Sequence, residues 1–201
     1  MLSLTKPLGN ELIYKSKKYK LDLSFDIVLS FYEMLDDERL SDSDNVMTSF
    51  EMFLGYEPND ADFTINAFKQ IGKYISMKPY GNDVEDAKEV IRDPRRLYSF
   101  QQDAEAIYSS FYEQYGIDLI DVQGQLHWDK FKALFQGLGP NTYLQRIIDI
   151  RTRNPKDYQG EALAKLTEAK QYYELDINKT QKAKEAQFAN LAQTLRSWAT
   201  S

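Results

Sequence analysis

The chain has 201 residues, with 25 Lys and Arg against 31 Asp and Glu, a net charge of −6, one histidine and no cysteine. The absence of cysteine excludes disulfides, thiol nucleophiles, iron–sulfur clusters and thiolate zinc sites, and His127 is the only imidazole for acid–base work. No run of 18 apolar residues exists, and the opening Met1-Leu2-Ser3-Leu4-Thr5-Lys6-Pro7 is too quickly polar for a signal peptide, so a cytoplasmic protein is expected.

Leu12-Ile13-Tyr14 and the alternating Tyr19-Lys20-Leu21-Asp22-Leu23 predict a short β-hairpin turning through Lys15–Lys18. After Ser24 the pattern is helical. Ser24 is the expected N-cap of a helix whose face is Phe25, Val28, Leu29, Tyr32 and Leu35. Ser43 or Asp44 should cap a second helix, with Val46, Phe50, Phe53 and Leu54 inward and Gly55 as its stop. Asn59-Asp60 should cap a third, striped by Phe63, Ala67, Phe68, Ile71, Tyr74 and Ile75, with Gly72 marking a close helix approach. Residues 79–97 read as a charged linker with one helical turn at 84–91. Helices are then expected near Tyr98–Tyr115, Gln125–Gln136, Asn141–Arg153 and 156–174, the last with Pro155 in its first turn. A final helix spans about 179–199, after a break at Asp176-Ile177-Asn178.

The fold class read from this is all-α, bundle-like, with an N-terminal β-hairpin and a C-terminal helical extension. Its segments are 1–78 (hairpin and acidic helices), 79–97 (linker), 98–153 (a helical segment rich in aromatics) and 154–201 (extension). Between Asp22 and Asp62 stand 12 acidic residues and one base, Arg39, a surface that repels phosphate. Residues 151–201 carry 9 basic against 6 acidic residues, interspersed as on a solvated helix face, so no nucleic-acid or membrane partner is expected.

No constellation has the form of an active site. His127 has no acid at helical spacing and sits beside Trp128, which favours a histidine bonded to backbone. Asp42-Ser43-Asp44-Asn45-Val46-Met47 starts like a calcium loop but lacks its glycine, its fifth-position oxygen and its closing glutamate. Gly137-Leu138-Gly139-Pro140 is a helix stop, not a phosphate cradle. No catalytic residue, metal ligand or cofactor is therefore expected.

The aromatic content carries more. Tyr108, Phe111, Tyr112 and Tyr115 fall broadly on one side of a helix, and Trp128, Phe131, Leu134 and Phe135 repeat the pattern; these two helices should pack on each other. Phe111, Tyr115, Trp128 and Phe131 are the expected core anchors. On the last helix, Phe188, Leu191, Leu195 and Trp198 step by 3, 4 and 3, a narrow seam suited to one partner helix or to the protein's own body.

The stretch DAEAIYSSFYEQYGIDL at 103–119, then LHWDKFKAL at 126–134 and Ile147, Ile148, Ile150 and Arg151, resembles a family of siphophage proteins. These are small helical proteins of long-tailed phages and prophages of Gram-positive bacteria, encoded between the tail-tube and tape-measure genes. The family often carries a second aromatic after the tryptophan, where this chain has Asp129, and the tail beyond about 155 is longer here. The resemblance implies a non-enzymatic tail-assembly protein, a chaperone of the tape-measure protein, with tail proteins or a second copy of itself as partners. It also implies action in the host cytoplasm and absence from the mature virion. The competing readings are a structural minor tail component and, with less support, an acidic-site metal-dependent hydrolase.

Overall fold

In a computed structural model the described residues are 2–35, 39, 42–56, 60–76 and 97–179. They form seven α-helices, one 3-10 turn and a two-stranded antiparallel hairpin, the mostly α fold that the periodicities predict. The chain divides into two compact units, Met1–Glu85 with Phe111–Leu138, and Asp86–Ser110 with Gly139–Ser201. Residues 98–153 are thus shared between the units, where the sequence reads as one segment. Side chains of 111–138 pack against the N-terminal segment, whereas those just before Ser110 bond to residues beyond Gly139.

In the first unit, β1 (Glu11–Tyr14) pairs with β2 (Lys17–Lys20), setting Leu12 opposite Tyr19. The turn is tighter than the predicted Lys15–Lys18: only Lys15 and Ser16 lie in it, at φ 46° and 64°. A type I′ hairpin loop demands positive φ at both central residues, and here it is taken without glycine or asparagine. Leu12 is buried, and the rings of Tyr14 and Tyr19 flank Phe63 at 5.2 and 4.6 Å.

Helix α1 (Phe25–Leu35) buries Phe25, Val28, Phe31 and Met34, a face rotated from the predicted one, with Leu29 and Tyr32 half-buried. Ser24 takes the N-cap position, its carbonyl accepting from the Val28 N–H at 3.2 Å, but its side chain does not cap the helix. Its Oγ is buried without a hydrogen-bond partner, and its N–H donates to Asp22 Oδ1. Helix α2 (Asp42–Leu54) starts ahead of its predicted caps, buries Phe50 and Phe53, and ends at Gly55 with φ +76°. Helix α3 (Ala61–Ser76) is capped by Asp60, whose Oδ1 accepts from the N–H groups of Asp62 and Phe63. Its buried stripe is Phe63, Ala67, Ile71 and Ile75. Gly72 marks no close approach, since nothing lies within 4 Å of where a Cβ would stand. The predicted linker up to residue 96, with its helical turn, falls outside the described residues.

Helices α4 (Ala104–Tyr115) and α5 (Trp128–Gln136) both begin later than their periodicity suggests. Ahead of α4 the chain runs through turns, and ahead of α5 the Trp128 N–H donates to the Leu23 carbonyl rather than to a preceding turn. Helix α4 stops at Gly116 with φ +65°. On it Phe111 is buried, but Tyr112 is 58% exposed and does not share the buried face. Phe131 of α5 lies at the centre of the first unit. Phe25, Phe111, Trp128 and Phe135 stack nearly parallel to it, at centroid distances of 4.8, 5.2, 5.6 and 6.0 Å.

In the second unit, α6 (Tyr143–Thr152) is followed by a short 3-10 turn at Pro155–Asp157 and then α7 (Gly160–Tyr172). Pro155 therefore opens the short turn, not the long helix. The predicted break at Asp176–Asn178 is instead the start of a helical turn over 176–179, and the Asp176 N–H donates to Gln102 Oε1 at 3.0 Å.

Removing a ring from the stack leaves a cavity among fixed neighbours. Trp128→Ala and Phe131→Ala should each cost about 3–5 kcal/mol, read as a shift of the denaturation midpoint at constant m-value. A loss below about 1 kcal/mol for either would mean that the stack contributes little.

Candidate functional site

The polar residues with chemical potential fall into two networks, one in each unit. In the first, Trp128 N–H donates to the Leu23 carbonyl at 2.7 Å and Phe25 N–H to the Leu126 carbonyl at 2.9 Å, an isolated antiparallel bridge centred on Ser24 and His127. His127 then closes the end of α5: its Nδ1 accepts from the Asp129 N–H at 3.1 Å, while Nε2 lies 3.3 Å from the Gly9 carbonyl. Accepting at Nδ1 places the ring proton on Nε2, where it faces Gly9. Both nitrogens are thus occupied with backbone, the arrangement of a helix cap rather than of a general base.

The next two residues continue the network. Trp128 Nε1 donates to the Ile75 carbonyl at 3.2 Å, and Lys132 Nζ stands 5.5 Å from the Trp128 ring centroid. Asp129 is buried, with Tyr74 Oη donating to its Oδ2 at 2.5 Å and Lys132 Nζ 3.2 Å from its Oδ1. Burial alone would raise the Asp129 pKa, but the hydrogen bonds from Tyr74 and Lys132 prevail and hold it below the ordinary carboxylate value. Burial and the same bond push the Tyr74 hydroxyl pKa upward. A carboxylate suits this position because a second aromatic after Trp128 could accept neither bond.

At the other end of α5, Tyr115 Oη donates to the Leu134 carbonyl at 2.9 Å, and Gln114 Nε2 to the Gly137 carbonyl at 3.0 Å. Gly137 sits tightly there: a Cβ would stand 3.0 Å from Tyr115 Oη and 3.3 Å from the Ala133 carbonyl, so these neighbours would have to give by a few tenths of an ångström. Tyr115 is therefore half-buried, apolar body inward, with its hydroxyl bonded to the helix end.

The second network escapes a motif search. Arg151 and Asp103 are both buried and form a two-pronged ion pair, Nη1 to Oδ2 at 2.7 Å and Nη2 to Oδ1 at 2.8 Å. Two further guanidinium N–H groups reach the Tyr173 carbonyl at 2.6 Å and the Leu97 carbonyl at 2.9 Å. Asp103 Oδ2 also accepts from the Ser99 N–H at 3.0 Å, and Lys170 Nζ donates to the Arg151 carbonyl at 2.5 Å. Buried Ser110 supplies the cap that Thr142 does not, its Oγ accepting from the Leu144 N–H at 3.0 Å. The sequence signal was the charge at each end of an apolar pattern: Asp103 opening the α4 motif and Arg151 closing the Ile147–Ile150 run. Beside the pair lies a groove of roughly 660 Å³, lined among others by Leu97, Arg153, Lys170, Glu174 and Leu175.

Of the residues singled out from sequence, Phe111, Trp128 and Phe131 are buried and gathered in the aromatic stack, with Tyr115 beside Phe111 at 5.7 Å. The seam residues Phe188, Leu191, Leu195 and Trp198 lie outside the described residues. Among the described residues no three His, Cys, Asp or Glu side chains converge as metal ligands, and no helix is long and apolar enough to cross a membrane.

Residues 8–175 match the family described as Bacteriophage Gp15 protein, a span that contains the bridge, the aromatic stack and the Asp103–Arg151 pair. The chain belongs to that family. No curated protein and no solved structure matches it. In this Gp15 protein the family's span thus coincides with the residues that hold each unit together, and the segment after 175 falls outside it.

Two expectations follow. Leaving a buried ion unpaired is costly, so Arg151→Met or Asp103→Leu should each cost about 3–5 kcal/mol, with the double variant recovering much of the loss; additive losses would contradict the pairing. Asp129→Asn should cost about 1–3 kcal/mol near neutral pH, because two hydrogen bonds lose their charged acceptor. A depressed folded-state pKa adds stability above the unfolded value of about 4 and loses it as pH falls through the folded value. The gap between wild type and Asp129→Asn should therefore close on acidification below about pH 4 in denaturation curves; a constant gap would contradict the ionised network.

Proposed function

We propose that this protein is a non-enzymatic tail-assembly factor, a chaperone that covers the tape-measure protein until tube subunits replace it. Membership in a bacteriophage family over residues 8–175 is the observation that carries this reading. The fate of the polar side chains supports it. His127, Asp103 and Arg151 are each committed to backbone or to one another, and Asp129 to Tyr74 and Lys132, the use expected where no chemistry is performed. Apolar side chains meanwhile stand at the surface, Ile13 and Ile65 in the first unit and Tyr172 and Ile177 in the second. A tape measure is a long helix with apolar surface, so its shield needs adhesive faces and enough net charge to stay in solution; the charge here is −6. The seam Phe188, Leu191, Leu195 and Trp198 is the contact for that helix, each side chain contributing about 1.5–3 kcal/mol on burial before ordering costs. The protein acts in the host cytoplasm and leaves before the virion is complete.

Co-expression with the neighbouring tape-measure protein should give a complex that captures both chains, and deletion of residues 180–201 should weaken it by at least about tenfold. Purified virions should hold the protein at far below stoichiometric amounts by mass spectrometry. Full binding by the truncated chain would overturn the seam assignment, and a stoichiometric presence in virions would make the protein a structural tail component.

A further inference from the structure

The hairpin of the first unit has two outer edges, and they are not alike. Register decides which backbone groups point outward. Leu12 and Tyr14 stand opposite Tyr19 and Lys17, and the Leu21 N–H donates to the Asn10 carbonyl at 2.7 Å. Hydrogen-bonded pairs recur at every second residue of an antiparallel ladder, so Lys17, Tyr19 and Leu21 turn their N–H and C=O groups toward β1. Lys18, Lys20 and Asp22 turn theirs away. The Asp22 N–H finds the Phe53 carbonyl at 2.8 Å, but no described group meets the backbone of Lys18 or Lys20. The other edge is covered: α3 packs against β1, and the outward carbonyl of Ile13 accepts from Gln70 Nε2 at 3.2 Å.

An unpaired edge accepts a further strand, and side-chain charge decides which one. Residues 11–20 hold Lys15, Lys17, Lys18 and Lys20 against Glu11, a net charge of +3 within a chain of −6. The acids beside the hairpin are taken up elsewhere: Glu11 by Lys18 Nζ at 2.7 Å, Asp60 by Lys15 Nζ at 3.9 Å, and Asp22 by the Ser24 N–H at 2.9 Å. Lys17 and Lys20 are exposed, and neither forms an ion pair with a described residue. A second copy of β2 laid along this edge would set lysine against lysine, which like charges across a ladder disfavour. An acidic strand meets the opposite condition. We propose that the outer edge of β2 docks an extended, acidic segment of another protein, which adds a third strand to the hairpin. The backbone of Lys18 and Lys20 supplies the main-chain hydrogen bonds, and the Lys17 and Lys20 side chains select for acids. This contact is independent of the helix contact assigned above to the seam.

Amide exchange in the full chain, read by NMR, tests the edge. In the protein alone, the Lys18 and Lys20 amides should exchange at least about tenfold faster than the Tyr19 amide, which lies inside the ladder. The probe is an acetylated, amidated octapeptide of alternating Glu and Val. At saturation it should slow exchange at Lys18 and Lys20 by at least about tenfold. The same peptide N-methylated at every second residue cannot complete a ladder, and an alternating Lys and Val peptide carries the wrong sign; neither should bind. Lys17→Glu/Lys20→Glu should weaken binding of the Glu and Val peptide by about tenfold or more. Both side chains are exposed, so the thermal midpoint of that variant should hardly move. Slow exchange at Lys18 and Lys20 in the protein alone would mean that the edge is already covered, and would overturn the proposal. So would protection that appears only as protein concentration rises, which would give the edge to a second copy. A Glu and Val peptide that leaves both amides unprotected would overturn it too, as would equal binding of the N-methylated peptide, which would reduce the contact to charge attraction without a strand.

Discussion

Two backbone hydrogen bonds, Trp128 to Leu23 and Phe25 to Leu126, decide how the first unit is assembled. They fasten the strand-like lead-in of α1 to the residues just ahead of α5, across a long stretch of intervening chain. Closing such a loop costs entropy that grows only slowly with its length, but two hydrogen bonds alone would not offset it. The aromatic side chains on either side of the bridge do. Phe25, immediately after it, and Phe131, one turn into α5, stack at 4.8 Å, and Phe111 and Trp128 extend the stack. The bridge sets the register in which these rings meet, and burial of the rings keeps the bridge formed. His127 links the levels, with its backbone in the bridge, Nδ1 on the helix end and Nε2 toward Gly9.

The second unit is organised by charge rather than by rings. Asp103, Arg151 and the carbonyls of Leu97 and Tyr173 meet in one buried knot. An ion pair removed from water gains little net stability over an apolar substitute, yet it rejects any packing that leaves its donors unmet. The guanidinium fork, with donors fixed in a plane, therefore specifies how the start of α4, the end of α6 and the end of α7 come together. Gln102 reinforces this by bonding to the Glu174 carbonyl and the Asp176 N–H, so the chain is held firmly up to the start of its C-terminal segment.

The helices and the hairpin were legible because periodicity reports burial directly. The caps were less so. Ser24 has the chemistry of an N-cap, but its Oγ is buried without a hydrogen-bond partner and its N–H turns back to Asp22; a histidine caps α5, and Ser110, from another helix, caps α6. Gly72 sits in an apolar stripe without a close neighbour, whereas Gly137, read only as a stop, is the glycine that a tyrosine hydroxyl crowds. The Lys15–Ser16 turn lacks the residues that usually announce such loops. Asp103 and Arg151 belonged to the quoted motif as its two ends, but a charge pair separated by 48 positions has no local signature. Exposed surfaces leave weaker traces in one sequence than buried cores do.

The central claim is that the N-terminal segment and residues 111–138 form one cooperative unit through the bridge. Native-state hydrogen exchange at the Trp128 and Phe25 amides tests it most directly. The account predicts that both exchange only through global unfolding of the unit, with equal free energies and the full denaturant dependence of its most protected core amides. Fast exchange at either amide, with little dependence on denaturant, would show the bridge opening independently of the aromatic stack and would contradict the account.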